Sequence, residues 1–166
     1  MTRIATYALG DLERELEATR RVLARVPNEH LHWRPHPKSF TLGALATHVA
    51  TLPGVAVDIL RADVMDLATR PSPKQALPSR ERILAAFDAQ AAAWRDVLAA
   101  TSQDVLLSTW SLRHREQVLD EAARLEVLRH WCLNHLIHHR AQLTVYLRLL
   151  DVPVPGLYGP SADEQR

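Results

Sequence analysis

The stretch from Leu125 to Leu150 sets the strongest limit on the fold, because it reads as one long helix carrying four of the chain's nine histidines. Leu128, Trp131, Leu136, Leu143, Tyr146 and Leu150 recur at helical spacing and give it an apolar face, and Asp151 and Pro153 close it. A helix of that length is held by packing rather than by propensity, so the rest of the chain must supply partners along it.

Those partners are visible upstream. From Tyr7 to Val26, Leu9, Leu12, Leu16, Leu23 and Val26 mark a first helix, ended by Pro27. The segment Asn28 to Ser39, with His30, His32, Trp33, Pro35, His36 and Pro37, fits neither regular period and reads as a loop with aromatic anchors. Thr41 is the natural cap of a second helix through Leu42, Leu45, Val49 and Leu52 to about Arg61, in which Pro53 removes one donor and introduces a kink. Arg70 to Ser79 reads as a connection, and Ser79 caps a third helix with Ile83, Leu84, Phe87, Trp94 and Leu98 on its inner side. Within Val105 to Leu119, Trp110 to Arg115 alternates weakly, and the region reads as a short hairpin or an irregular excursion before the last helix. The tail VPVPGLYGPSADEQR is an ordered turn if Leu157 and Tyr158 pack, and a frayed terminus if they do not. Four principal helices without a strand series imply an all-α fold, a four-helix bundle formed by residues 1–166 as one domain.

With 20 basic and 19 acidic residues the chain lacks the charge footprint of a general nucleic-acid binder, and a small-molecule substrate suits it better. Only Lys38 and Lys74 are lysines, so the arginine excess is compositional, and Arg140 and Arg148 read as residues of a solvated helical face. The apolar stretch Leu42 to Leu60 is interrupted by His48, Pro53 and Asp58, which argues for a buried helix and against a membrane span. The lone Cys132 allows no internal disulfide, and charges from Asp11 to Glu17 precede any apolar export segment, so a cytoplasmic location is expected.

His130, His135, His138 and His139 fall within ten residues. At about 100° per residue, His135 and His139 lie about 40° apart around the axis and roughly 6 Å along it, so both imidazoles can converge on one ion. A 135/138 pair is the geometric alternative, and His130 faces elsewhere. Neutral imidazole suits zinc, nickel and related ions, and three protein ligands leave a position for water or substrate. His48, the sole histidine of the second helix, is the natural third ligand. Cys132 competes for that place, although it sits roughly 7 Å along the axis from the midpoint of the pair.

Three stretches, HWRPHPKSFTLGALATHVA, NHLIHHRAQLTVYLRLL and VPVPGLYGPSADE, resemble the DinB/YfiT-like family. The resemblance implies an up-down-down-up four-helix bundle, commonly a homodimer, binding one divalent ion: nickel or zinc, with manganese or iron as further options. It implies a metal triad of one histidine in the second helix and an HxxxH pair in the last, matching His48, His135 and His139. Ala141 stands where the family has a small Gly. Some relatives are thiol-dependent, including transferases of low-molecular-weight thiols and a maleylpyruvate isomerase. The resemblance does not imply contact with DNA.

The resulting expectation is an enzyme that activates water or a low-molecular-weight thiol for attack on a small electrophile. A metal-assisted hydrolase and a non-catalytic metal-binding structural or stress-response dimer are its alternatives. Gln142 and Tyr146, three and seven residues after His139, are placed to orient a bound molecule, and Asn134 and His138 to hydrogen-bond the ligand imidazoles. Trp33 and Trp110 are candidates for the pocket rim. No carboxylate is nominated as general base by spacing.

Overall fold

The computed structural model describes residues 2–70 and 75–164. Residues 71–74 of the expected 70–79 connection lie outside the described residues. Among the described residues, seven α-helices and three short strands follow in order: α1 (Arg3–Leu9), α2 (Leu12–Leu23), α3 (Leu42–Arg61), β1 (Val64–Asp66), α4 (Arg80–Ala100), α5 (Gln103–Leu107), β2 (Thr109–His114), β3 (Gln117–Ala123), α6 (Arg124–Val127) and α7 (His135–Leu149). A 3-10 turn spans Asn28–His30, and a π-helical stretch, Leu128–Asn134, joins α6 to α7.

Helix α3 is the axis of the fold. Its residues are buried nearly all round, as expected of a helix without a polar face. It packs against α4 on one side and α7 on the other, and α2 closes the ring by touching both. Thr41 Oγ1 accepts from Ala44 N at 3.2 Å, while the carbonyls of Trp33 and Leu31 accept from Leu42 N and Gly43 N at 2.8 and 2.9 Å. The orphan donors of the first turn are thus satisfied by the aromatic loop, which fixes Trp33 beside the helix that carries His48. Close approach of that loop requires Gly43, where a Cβ would lie 3.1 Å from Leu31 O. By length and composition α3 is apolar enough to cross a membrane, but 67% of its apolar window is buried inside the fold.

The second and third helices begin and end close to where the sequence places them, with α3 continuous through Pro53 and Ser79 Oγ accepting from Arg82 N. Four features depart from the reading. The fold is mostly helical rather than all-α: β2 pairs antiparallel with β3 as the hairpin alternative foresaw, but the hairpin extends to Ala123, and β1 adds a parallel third strand. At three residues β1 is too short to show a period. The first helix is broken at Gly10 and Asp11, where a helix-weak glycine precedes a side chain that turns to accept from Arg129 Nη1 at 2.6 Å.

The last helix is interrupted by the π-helical stretch, in which each turn takes up an extra residue and the side-chain phase slips relative to an α-helix. Trp131, expected inside, is 41% exposed and donates from Nε1 to Asp120 Oδ2 of β3 at 2.6 Å. The helix then ends on Asp151, at φ 55°, with Val152 N bonded to Leu147 O and Asp151 N to Arg148 O, a Schellman-type stop in which aspartate takes the left-handed position.

Two buried arginines tie the elements together. Arg124 reaches the carbonyls of Ile59, Ala62 and Val105, the Ser108 hydroxyl and Asp63, so one guanidinium closes the end of α3 against α5 and the residue that caps it. Arg140, read from the sequence as solvated, is 1% exposed: it pairs with Glu15 of α2 at 2.7 Å and donates to the Tyr158 hydroxyl, also at 2.7 Å. Tyr158 in turn donates to Glu15 Oε2 at 2.9 Å, and Leu157 packs on the core, so the tail is ordered.

Candidate metal centre

His48 comes from the middle of α3, and His135 and His139 from the first turns of α7. Their ligand-capable nitrogens all lie within 4.8 Å of one another. His135 is the hub, with its Nε2 3.4 Å from His48 Nε2 and 2.8 Å from His139 Nε2. Metal–nitrogen bonds of about 2.0–2.1 Å at tetrahedral angles place ligand nitrogens about 3.4 Å apart, so the donor set fits one divalent ion after small side-chain adjustments. Cys132 is fully buried and stands outside this set, with burial pushing its thiol far above the usual range.

The outer nitrogen of His139 is also engaged, with Nδ1 2.7 Å from Gln142 Oε1. That bond reserves Nδ1 for donation and leaves the His139 Nε2 lone pair facing the cluster.

Burial, together with the His139 and His135 rings, pushes His48 down from its ordinary 6.5 to about 4. Burial likewise lowers His135 and His139. All three are therefore neutral near pH 7, the form that donates to a metal. In the unfolded chain these groups regain their ordinary basicity, so below about 6.5 the unfolded state holds more protons and stability falls with pH. For His48 that loss runs from 6.5 down to about 4, where the folded state protonates as well. The melting temperature of metal-free protein is expected to drop across this window, and to drop less in His48→Gln; parallel profiles for the two proteins would contradict it.

Around the triad, Phe40 stacks beside His48 with centroids 6.1 Å apart and meets His139 edge-on at 6.5 Å. Trp33 packs against Tyr146 at 5.7 Å, and the Tyr146 hydroxyl donates to Phe40 O at 3.3 Å. Phe40 was not foreseen, although its place just before the Thr41 cap fixes it at the mouth of the α3 helix. Trp110 is corrected: it is 2% exposed in β2, a core anchor rather than a rim residue, because the hairpin turns it inward. His138 is exposed, with its ring 4.8 Å from His139, and neither it nor Asn134 hydrogen-bonds the triad. Both line a shallow cavity of about 510 Å³ on the outer side of His135, with His130 and Asp120.

On the inner side, His48 opens into a larger cavity of about 900 Å³ running along α3, lined by Thr47, Thr51, Asp58, Arg70 and Gln90 among others. No Asp or Glu belongs to the gathered imidazole set, and Asp58 is the sole acidic residue among the cavity's described lining.

Residues 11–143 match the DinB superfamily. The chain belongs to that superfamily. A DinB-like protein from Bacillus cereus ATCC 10987 has a similar structure, with a TM-score of 0.70 at 23% identity over 91% of this chain and 95% of the other. YjoA, a DinB-like protein from Bacillus subtilis, aligns with a TM-score of 0.67 at 14% identity over 99% of this chain and all of its own. These likenesses establish the DinB-like fold. YrdA, an uncharacterized protein of Bacillus subtilis (strain 168), is 26% identical over 161 residues, covering 95% of this chain and 90% of the relative.

Proposed function

We propose that this DinB-superfamily protein is a divalent-metal-dependent enzyme that activates a low-molecular-weight thiol, or water, for attack on a small electrophile. The observation that carries the reading is the convergence of three neutral imidazoles at the edge of a cavity of about 900 Å³. His48, His135 and His139 would hold the ion, with nickel or zinc matching the donor type and manganese or iron less so. When bound, the ion supplies Lewis acidity that makes a thiol or water nucleophilic near neutral pH.

The chain's own residues set the conditions. Gln142 holds His139 in the donating tautomer. Phe40, Trp33 and Tyr146 wall one side of the site. With no carboxylate in the imidazole set, the proton of the nucleophile passes to solvent. That favours a thiol, whose ordinary pKa of about 8.5 lies far closer to neutrality than that of water.

Gln142→Leu removes the acceptor that orients His139 and is expected to weaken metal affinity on the order of ten- to a hundredfold. Competition with a chromophoric chelator reads this directly, and unchanged affinity would remove Gln142 from the site. The functional test is metal-edge X-ray absorption with elemental analysis on protein purified without added metal, compared with a His48→Ala, His135→Ala variant. A screen of small electrophiles with and without thiol follows. One ion with about three imidazoles, lost in the variant, and thiol-dependent turnover support the proposal; absence of any stoichiometric ion, with no uptake of nickel, zinc or manganese, overturns it. Thiol-independent hydrolysis would instead favour the hydrolase.

A further inference from the structure

The large cavity does not end at the triad. It follows α3 from Ala44 and His48 past Thr51 and Gly54 to Asp58, ten residues and therefore about 15 Å beyond His48. Ala44, Thr51 and Gly54 keep the α3 side of it low, and Gly54 leaves room for the Gln90 amide, whose Oε1 would lie 2.4 Å from a Cβ at that position. At the far end Arg70 Nη2 pairs with Asp58 Oδ2 at 3.0 Å, both within the lining. Arg70 Nη1 also rests 2.8 Å from Met65 Sδ, which fixes the guanidinium. The two side chains are 31% and 57% exposed, so both charges are open to a ligand.

We infer that the cavity takes an elongated molecule whose reacting end lies at His48 and whose far end is a zwitterion, with a carboxylate on Arg70 and an ammonium on Asp58. The inference builds on the metal-site reading and names the substrate class of that site. The pair itself dictates the choice. A tail bearing only a carboxylate meets Arg70 but is opposed by Asp58, and a tail bearing only an ammonium meets the reverse, whereas an α-amino-acid end satisfies both. Thr51 and Gln90 between the two ends offer a hydroxyl and an amide to a polar linker.

The test uses three ω-mercapto probes of equal chain length, long enough to span the groove, ending in an α-amino acid, a carboxylate alone or an amine alone. Affinities are read from the charge-transfer absorption of cobalt-loaded protein. A fourth probe, the amino acid without its thiol, is titrated into metal-free protein by NMR. The zwitterionic probe is expected to bind about tenfold more tightly than either single-charge probe, and Arg70→Gln and Asp58→Asn should each erase that preference. The thiol-free probe should shift the amides around Asp58 and Arg70 in the metal-free protein. Equal affinities for the three tails, a preference that survives both substitutions, or shifts confined to other parts of the chain overturn the inference. Failure of cobalt to bind would instead count against the metal site, and the metal-free titration then decides the groove by itself. Thermal melting of both variants confirms that each is folded.

Discussion

Replacing His135 with alanine is expected to abolish stoichiometric metal binding, the largest single-residue effect on the site. His135 Nε2 is the atom within hydrogen-bonding range of both other ligand nitrogens, at 3.4 Å from His48 and 2.8 Å from His139. Its loss therefore breaks two of the contacts that gather the cluster. The readout is thermal as well as analytical. A ligand that binds only the folded state stabilises it by about 4 kcal/mol at a thousandfold excess over its dissociation constant, a rise on the order of 10 °C for a chain of this size. Added nickel or zinc should raise the melting temperature of the wild type and leave His135→Ala unmoved, while the two metal-free proteins melt within a few degrees of each other. A variant that still shows the metal-induced rise would mean that the ion sits elsewhere.

The second large effect is on folding. Glu15 and Arg140 are 2% and 1% exposed and meet at 2.7 Å, with Arg140 also donating to the Glu15 carbonyl oxygen at 3.2 Å. Glu15→Gln leaves a buried guanidinium without its counter-charge, which costs about 3–5 kcal/mol. The melting temperature should fall on the order of 10 °C. Replacing both residues, as Glu15→Leu with Arg140→Met, removes the desolvation problem along with the attraction and should recover most of that loss. Denaturant titration of wild type, Glu15→Leu, Arg140→Met and the pair in a double-mutant cycle measures the coupling. A single variant within 1 kcal/mol of wild type would show that water reaches the pair.

How far the sequence discloses this molecule depends on the range of the interaction concerned. The boundaries of α3 and α4 were legible because Thr41 and Ser79 are local signals that act within one turn. The His135/His139 pair was legible for the same reason, since four residues bring two side chains together on any helix. The π-helical stretch was not, because the extra residue per turn leaves no mark in the apolar pattern, and a wheel drawn at a constant angle turns Trp131 inward. Arg140 misled because a charge on a helix reads as solvated until its partner is known, and Glu15 is 125 residues away. The groove was hidden for a further reason: Phe40, Asp58, Arg70 and Gln90 come from separate segments, and only the packed fold lines them up.

The Tyr158 contact has a consequence for how the chain matures. Tyr158 and Glu15 are separated by 143 residues, and the hydroxyl that completes the buried pair belongs to the tail that follows α7. A nascent chain emerging from its N-terminus can form α2, α3 and α4 early, but Glu15 then faces water with no partner until α7 and the tail have been made. His135 and His139 arrive on the same helix as Arg140, so closure of the ring and assembly of the three imidazoles become one event once α7 has been made. A chain that stops short of Tyr158 would lose the hydroxyl that bridges Arg140 and Glu15, leaving polar atoms of a buried pair without one of their partners.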